Sequence, residues 1–196
     1  MELVTTLLII APAQVIVFAL VPLSWWLNAG RPEGSFLRWL GFRAVRDAAS
    51  PRVLGMIAIC GLGFLGSTLL AGPALWPPRE SGPMALLVVP VIAVLQRALS
   101  EEIFFRGYLL RWLQEKRPWP LVANLVQACL CGVVHGVGQW LFAGGDLRAS
   151  LAALALGTGA ALAGGWLRQH TGSILLPWAA HGGANLAGGL ILVLWG

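Results

Sequence analysis

The chain alternates between long apolar segments and short polar ones. Five apolar segments contain no Asp, Glu, Lys or Arg: residues 3–26, 53–76, 121–142, 151–167 and 174–194. A helix needs roughly 20 apolar residues to cross the hydrocarbon core of a bilayer, which is about the length of these segments. The pattern therefore predicts a transmembrane helix at each of the five positions.

A sixth helix is predicted at residues 84–113. Its first half is apolar, whereas its second half carries the charged residues Arg97, Glu101, Glu102, Arg106 and Arg111. Ionisable groups are costly against lipid, so this half is expected to face the interior of a bundle. We therefore predict an all-α fold, in which residues 1–196 form a single polytopic membrane domain with about six transmembrane helices.

The composition agrees with a membrane protein and excludes other classes. Hydrophobic residues make up 58% of the chain and charged residues 11%, against about 25% charged in soluble domains. Although the net charge is +5, the basic residues lie between apolar segments, so nucleic-acid binding is not expected. The cysteines, Cys60, Cys129 and Cys131, all lie in apolar segments, so neither a disulfide framework nor a zinc site is expected.

The distribution of Lys and Arg predicts an orientation. Residues 28–52, 111–120 and 168–173 hold Arg31, Arg38, Arg43, Arg46, Arg52, Arg111, Lys116, Arg117 and Arg168. The other two connections, residues 77–83 and 143–150, hold only Arg79 and Arg148. By the positive-inside rule, the first group is cytoplasmic, and both termini lie on the non-cytoplasmic side of the cell membrane. Residues 35–48 resemble a short basic helix on the cytoplasmic surface, with a solvated loop as the alternative.

Two adjacent glutamates are the most unusual feature of the apolar segments. Glu102 and Arg106 are four residues apart and can pair on one face of a helix, while Glu101 points about 100° away. A carboxylate paired with Arg stays ionised, so the two glutamates can take different roles, with Glu101 as the candidate base. Two structural ion pairs, Arg97 with Glu101 and Glu102 with Arg106, are the alternative.

Two histidines and an asparagine extend this polar set. His135 and His181 are each followed by glycine, and His181 shares a helical face with Asn185 four residues later. Counting the helical rise from the cytoplasmic ends places Glu101, His135, His181 and Asn185 in a similar layer. Water is scarce at this depth, so we expect a polar cavity that opens to the cytoplasmic side. Small residues in the fifth apolar segment, Gly157, Gly159, Gly164 and Gly165, predict close helix contact.

These residues in this order resemble a known family. The sequence Glu101-Glu102-x-x-x-Arg106, a histidine in the next apolar segment, and His181-x-x-x-Asn185 are similar to the CPBP family of CAAX proteases and bacteriocin-processing (Abi) proteins. These are glutamic-type intramembrane endopeptidases, and they include the type II CAAX prenyl endopeptidase. The resemblance covers residues 84–196, which we expect to be the catalytic core, preceded by two helices and a basic loop in residues 1–83. Cys131 departs from the phenylalanine that many members have there.

The resemblance implies a role for each site residue. Glu101 and His135 would hold and deprotonate the attacking water, and His181 and Asn185 would stabilise the oxyanion. Glu102 and Arg106 would support the site, and no metal or cofactor is expected.

The leading hypothesis is an intramembrane endopeptidase that acts on a membrane-associated protein or peptide in the lipid bilayer. Prokaryotic precursor processing or cleavage of a C-terminal sorting signal is favoured over maturation of prenylated CAAX proteins. A non-proteolytic immunity or scaffold protein, or a small transporter, is the alternative from a different class. A third possibility is a metal hydrolase with the glutamate and both histidines as ligands. The sequence does not specify the oligomeric state.

Overall fold

The computed structural model describes residues 2–45, 48–72, 76, 83–116 and 119–195, with the backbone alone for residues 2–8. The described chain is helical and contains no strand. Its helices are α1 (Glu2–Asn28), α2 (Phe36–Leu40), α3 (Pro51–Ala71), α4 (Pro83–Lys116), α5 (Pro120–Phe142), α6 (Leu147–Thr171) and α7 (Leu175–Trp195).

The predicted polytopic helix bundle is confirmed. Five of the described helices, α1, α3, α4, α5 and α6, are long and apolar enough to cross a membrane. The sixth expected segment forms α7, an apolar helix of 21 residues that is not among these five. The protein is therefore a multi-pass membrane protein. Helix α3 ends at Ala71, earlier than predicted, because Gly72 adopts a left-handed φ of 66°.

The longest helix, α4, changes its winding along its length. Its ends, Pro83–Pro90 and Leu110–Lys116, are α-helical, whereas Val91–Leu99 and Glu102–Leu109 are π-helical. Pro90 has no backbone N–H to donate to the preceding turn, and the wider winding begins directly after it. π-Helical turns are rare and occur mostly at functional sites. Here the two π-helical segments flank Ser100 and Glu101.

Basic residues from three chain segments meet at one end of the bundle. Arg43 and Arg111 both pair with Glu33, and the guanidinium of Arg168 lies against Gly41. We call this end, where α1, α4 and α6 finish, the basic end. Of the predicted cytoplasmic cations, Arg46 and Arg117 lie outside the described residues, as does Arg79 from the opposite group.

The basic loop is folded into the bundle. Residues 35–48 do not form the predicted surface helix. Of the described residues in this range, only Phe36–Leu40 are helical, and Trp39 within them is completely buried. Its ring stacks on Trp25 with centroids 5.3 Å apart, and its carbonyl accepts a hydrogen bond from Arg111. An aromatic ring sandwiched between helices gains more from burial than it gains at the headgroup layer.

Small residues allow α5 and α6 to approach closely. A Cβ on Gly132 would lie 2.0 Å from the Thr158 hydroxyl oxygen and 2.7 Å from the Leu154 carbonyl oxygen. The predicted contacts of α6 are present at Gly157 and Gly165 but not at Gly159, where a Cβ would have no atom within 4 Å. Gly159 points away from the contact because the helical period places it on another face.

Gly132→Ala is expected to destabilise the bundle. The added methyl group meets a backbone carbonyl that cannot move aside, so we expect a loss of about 1–3 kcal/mol, typical of overpacking. Thermal unfolding in detergent micelles measures it. Gly159→Ala is the matched control, and it is expected to leave the unfolding temperature unchanged or slightly higher, since alanine is the better helix former. Equal unfolding temperatures for the two variants would contradict the packing described here.

Candidate active site

Glu101 and His135 are in direct contact in the middle of the bundle. Glu101 lies on α4 between the two π-helical segments, His135 lies on α5, and Nε2 of His135 is 3.3 Å from Oε2 of Glu101. The two side chains are 15% and 19% exposed, so both are reached by solvent. A carboxylate can only accept a hydrogen bond, which assigns the proton to Nε2.

A hydroxyl group from α3 completes this contact. The Oγ atom of Ser67 lies 3.2 Å from Nδ1 of His135. The neutral ring with its proton on Nε2 accepts from Ser67 at Nδ1, whereas the doubly protonated ring donates to the Ser67 oxygen. In either state the two hydrogen bonds fix the rotation of the imidazole.

A second, fully buried group lies beside the first. Arg106 pairs with Glu102 at 3.0 Å, as the four-residue spacing predicted, and both side chains are 0% exposed. His181 donates from Nδ1 to the same carboxylate oxygen, Oε1 of Glu102, at 3.1 Å. Its ring stacks on Phe64 with centroids 3.5 Å apart. Its remaining nitrogen, Nε2, is buried without a hydrogen-bond partner and lies 4.0 Å from Oε2 of Glu101.

Asn185 is oriented by a neighbour of Ser67. The Thr68 hydroxyl donates a 2.7 Å hydrogen bond to Oδ1 of Asn185. The amide oxygen is thereby occupied, and the NH₂ group is left as the polar end of a side chain that lines a cavity.

The structure thus brings together all six residues singled out in the sequence. Their catalytic roles stay predictions. Sequence reasoning missed Ser67, Thr68 and Phe64, all on α3. The available signal was a pair of adjacent hydroxyl residues in a segment without charge, because polar groups inside a membrane bundle usually bond to a neighbouring helix.

A cavity of about 460 Å³ gives access to Glu101 and His135. It also contacts Ala71 and Phe142, the last residues of α3 and α5. Both helices start at the basic end, so the cavity extends toward the opposite end of the bundle. The opening of a cavity to the cytoplasmic side stays a prediction.

One group of side chains has the composition of a metal site. The ligand atoms of Glu101, Cys131 and His135 lie within 4.8 Å of one another. Oxygen, sulfur and nitrogen donors are all ligands that zinc accepts. Cys131 takes the place that the sequence-based alternative gave to His181, which instead contacts Glu102.

Comparison with known families identifies the chain's relatives. The family described as type II CAAX prenyl endopeptidase Rce1-like matches residues 82–187. The chain belongs to this family. The match begins at α4 and includes Glu101, His135, His181 and Asn185, whereas Ser67 and Thr68 precede it. Membership of the Rce1-like family implies a hydrolase of the CAAX protease type that acts on membrane-associated substrates. No curated protein and no solved structure shows a significant match to the chain.

Glu102→Gln is expected to destabilise the protein strongly. It leaves the guanidinium of Arg106 buried without a counter-charge, which costs about 3–5 kcal/mol when one partner of a buried pair is removed. Thermal unfolding in detergent micelles measures the loss.

Glu115→Gln is the matched control for this variant. Glu115 also pairs with an arginine four residues away, Arg111 at 3.0 Å, but on the surface. We expect a change within about 1 kcal/mol there. Similar unfolding temperatures for the two variants would contradict a stabilising role of the buried pair.

Proposed function

We propose that the protein is a glutamic-type intramembrane endopeptidase of the cell membrane. In this proposal Glu101 and His135 hold a water that attacks a peptide carbonyl of a membrane-associated protein or peptide. The observation that carries the proposal is the contact of Glu101 with His135 at 3.3 Å, in the wall of a cavity inside a membrane helix bundle. A general base has to lie within hydrogen-bond reach of its water, and both side chains face the same cavity.

Glu101 is the proposed base rather than Glu102. Glu102 is sealed from the cavity and held by Arg106 and His181, so water does not reach it. Glu101 takes a proton from the water as the water oxygen bonds to the carbonyl carbon. The same proton then passes to the amide nitrogen as the carbon–nitrogen bond breaks. His135, held by Ser67, keeps the carboxylate in place throughout.

Two donors are proposed for the oxyanion. The NH₂ group of Asn185 is the first, since Thr68 occupies its amide oxygen and Asn185 lines the cavity. The second is Nε2 of His181, which is buried behind the cavity wall, 4.0 Å from Oε2 of Glu101, so it donates only if the wall opens there as substrate binds. Because Nδ1–H of His181 bonds to Glu102, donation from Nε2 requires the doubly protonated ring, whose charge Glu101 and Glu102 favour and Arg106 opposes. Preorganised donors of this kind lower the barrier because they do not have to reorient during the reaction.

We further propose that substrates are precursors or proteins with C-terminal sorting signals rather than prenylated CAAX proteins. The lining of the cavity supports this choice through its polar part, because amide and hydroxyl groups of Gln14, Ser67, Thr68, Gln96 and Gln139 lie in its wall beside the apolar Ala71, Val134 and Phe142. A peptide backbone can exchange hydrogen bonds with such groups, whereas a prenyl chain can contact only the apolar part. The orientation with both termini outside the cytoplasm is part of this proposal.

Metal-dependent hydrolysis is the second candidate, favoured by one observation. Glu101, Cys131 and His135 converge within 4.8 Å and could hold a zinc ion, which would supply an activated water in place of a glutamate-activated one.

Glu101→Gln and Asn185→Ala are expected to abolish processing without unfolding the protein. We expect turnover to fall about 10²- to 10⁴-fold for the base and about 10²- to 10³-fold for the oxyanion donor. Mass spectrometry of membrane-protein termini in the host would detect the precursors that accumulate in both variants, with Glu115→Gln as the control.

Two other outcomes of this experiment would each reject the glutamic-type protease. Unchanged termini together with a lost phenotype would replace the protease with a binding or transport protein. Turnover that is lost with a chelator and restored by zinc would replace the glutamic mechanism with the metal-dependent one.

Ser67→Ala and Thr68→Val test the two hydroxyl groups of α3. Each is expected to lower kcat about tenfold, the equivalent of one hydrogen bond, with KM unchanged, because each acts through another side chain. Ser67→Thr and Thr68→Ser keep the hydroxyl groups and should restore the rate. A matching loss in the conservative variants, or a change confined to KM, would contradict a positioning role.

A further inference from the structure

Two cavities lie along the bundle, and they do not share residues. The first, about 460 Å³, contains Glu101 and His135. The second, about 340 Å³, is lined by Arg106, Arg111, Gln114, Glu115, Arg168, Gln169 and Gly172. Every residue of the second cavity lies on the basic half of α4 or near the basic end of α6.

A sealed layer lies between the two cavities. It consists of Glu102, Arg106, His181 and Phe64, whose side chains are completely buried. The ion pair at 3.0 Å and the stacked rings at 3.5 Å hold it closed. A peptide that approached from the basic end would have to separate a buried ion pair, which is strongly unfavourable inside a bundle.

Among the described residues, the first cavity extends toward the opposite end of the bundle. Ala71 and Phe142 end their helices on the side away from the basic loops and line the first cavity. Thr68 and Gly138, which also line it, lie about one turn before those ends. Glu101, His135 and Asn185 therefore line a cavity that extends toward the non-basic end.

We infer that the substrate peptide reaches Glu101 from the end of the bundle opposite the basic loops. The basic end is cytoplasmic by its excess of Lys and Arg, so the scissile bond lies on the non-cytoplasmic side of the membrane or in its outer half. The substrates are then proteins or peptides whose cleaved segment has already crossed the membrane. This inference rests on the proposed endopeptidase function. The side of the membrane from which the first cavity is reached can nevertheless be measured without any activity.

Cysteine accessibility tests the inference directly. Cys60 and Cys131 are buried and Cys129 is exposed, so Cys129→Ser provides the background. Gly138→Cys reports on the first cavity, and the position has room because a Cβ there meets no atom within 4 Å. Gln114→Cys reports on the second cavity. Each variant is treated with a membrane-impermeant maleimide in right-side-out and in inverted membrane vesicles, and the background protein corrects for Cys60 and Cys131.

We expect the maleimide to label Gly138→Cys in right-side-out vesicles and not in inverted ones. We expect it to label Gln114→Cys in inverted vesicles and not in right-side-out ones. Reaction of Gly138→Cys in inverted vesicles only, from both sides, or from neither would overturn the inference. The same labelling in a Glu101→Gln background separates the two proposals. The expected labelling with no precursor accumulating in that variant would leave the access side intact and reject the protease.

Discussion

A carboxylate and a guanidinium that are completely buried inside a membrane bundle have to be paired, and the pair of Glu102 and Arg106 fixes how the rest of the site is built. Because Glu102 is committed to Arg106 and His181, the adjacent Glu101 is left to face the cavity. The same pair holds His181 in one orientation and closes the bundle toward the basic end. Glu101 and Glu102 are adjacent and chemically identical, but their different surroundings give them different roles.

Helix α3 contributes more to the site than its composition suggests. Through Ser67 and Thr68 it fixes the ring orientation of His135 and the amide orientation of Asn185, and Phe64 supports the ring of His181. None of these residues lies in the part of the chain that matches the Rce1-like family. The groups with acid–base chemistry thus come from α4, α5 and α7, and the groups that orient them come from the N-terminal part of the chain.

The winding of α4 connects the fold to the chemistry. Two π-helical segments on either side of Ser100 and Glu101 alter the angle between successive side chains at the point where adjacent glutamates have to face different neighbours. Ser100 bonds to the Gln96 carbonyl and accepts from Gln14 of α1 at 3.2 Å. A polar connection between α1 and α4 therefore lies next to the cavity.

The sequence by itself determined the features that depend on local spacing and on the cost of charge in lipid. Apolar length located the helices, and the four-residue interval paired Glu102 with Arg106. The rarity of ionisable groups in such segments singled out Glu101, His135 and His181. Tertiary structure alone decided which side chains meet across helices, because helix rotation and tilt are set by packing rather than by the residues of any one helix. That is why Ser67 and Thr68 were missed, why Trp39 is buried rather than on the surface, and why the cavity extends away from the basic end.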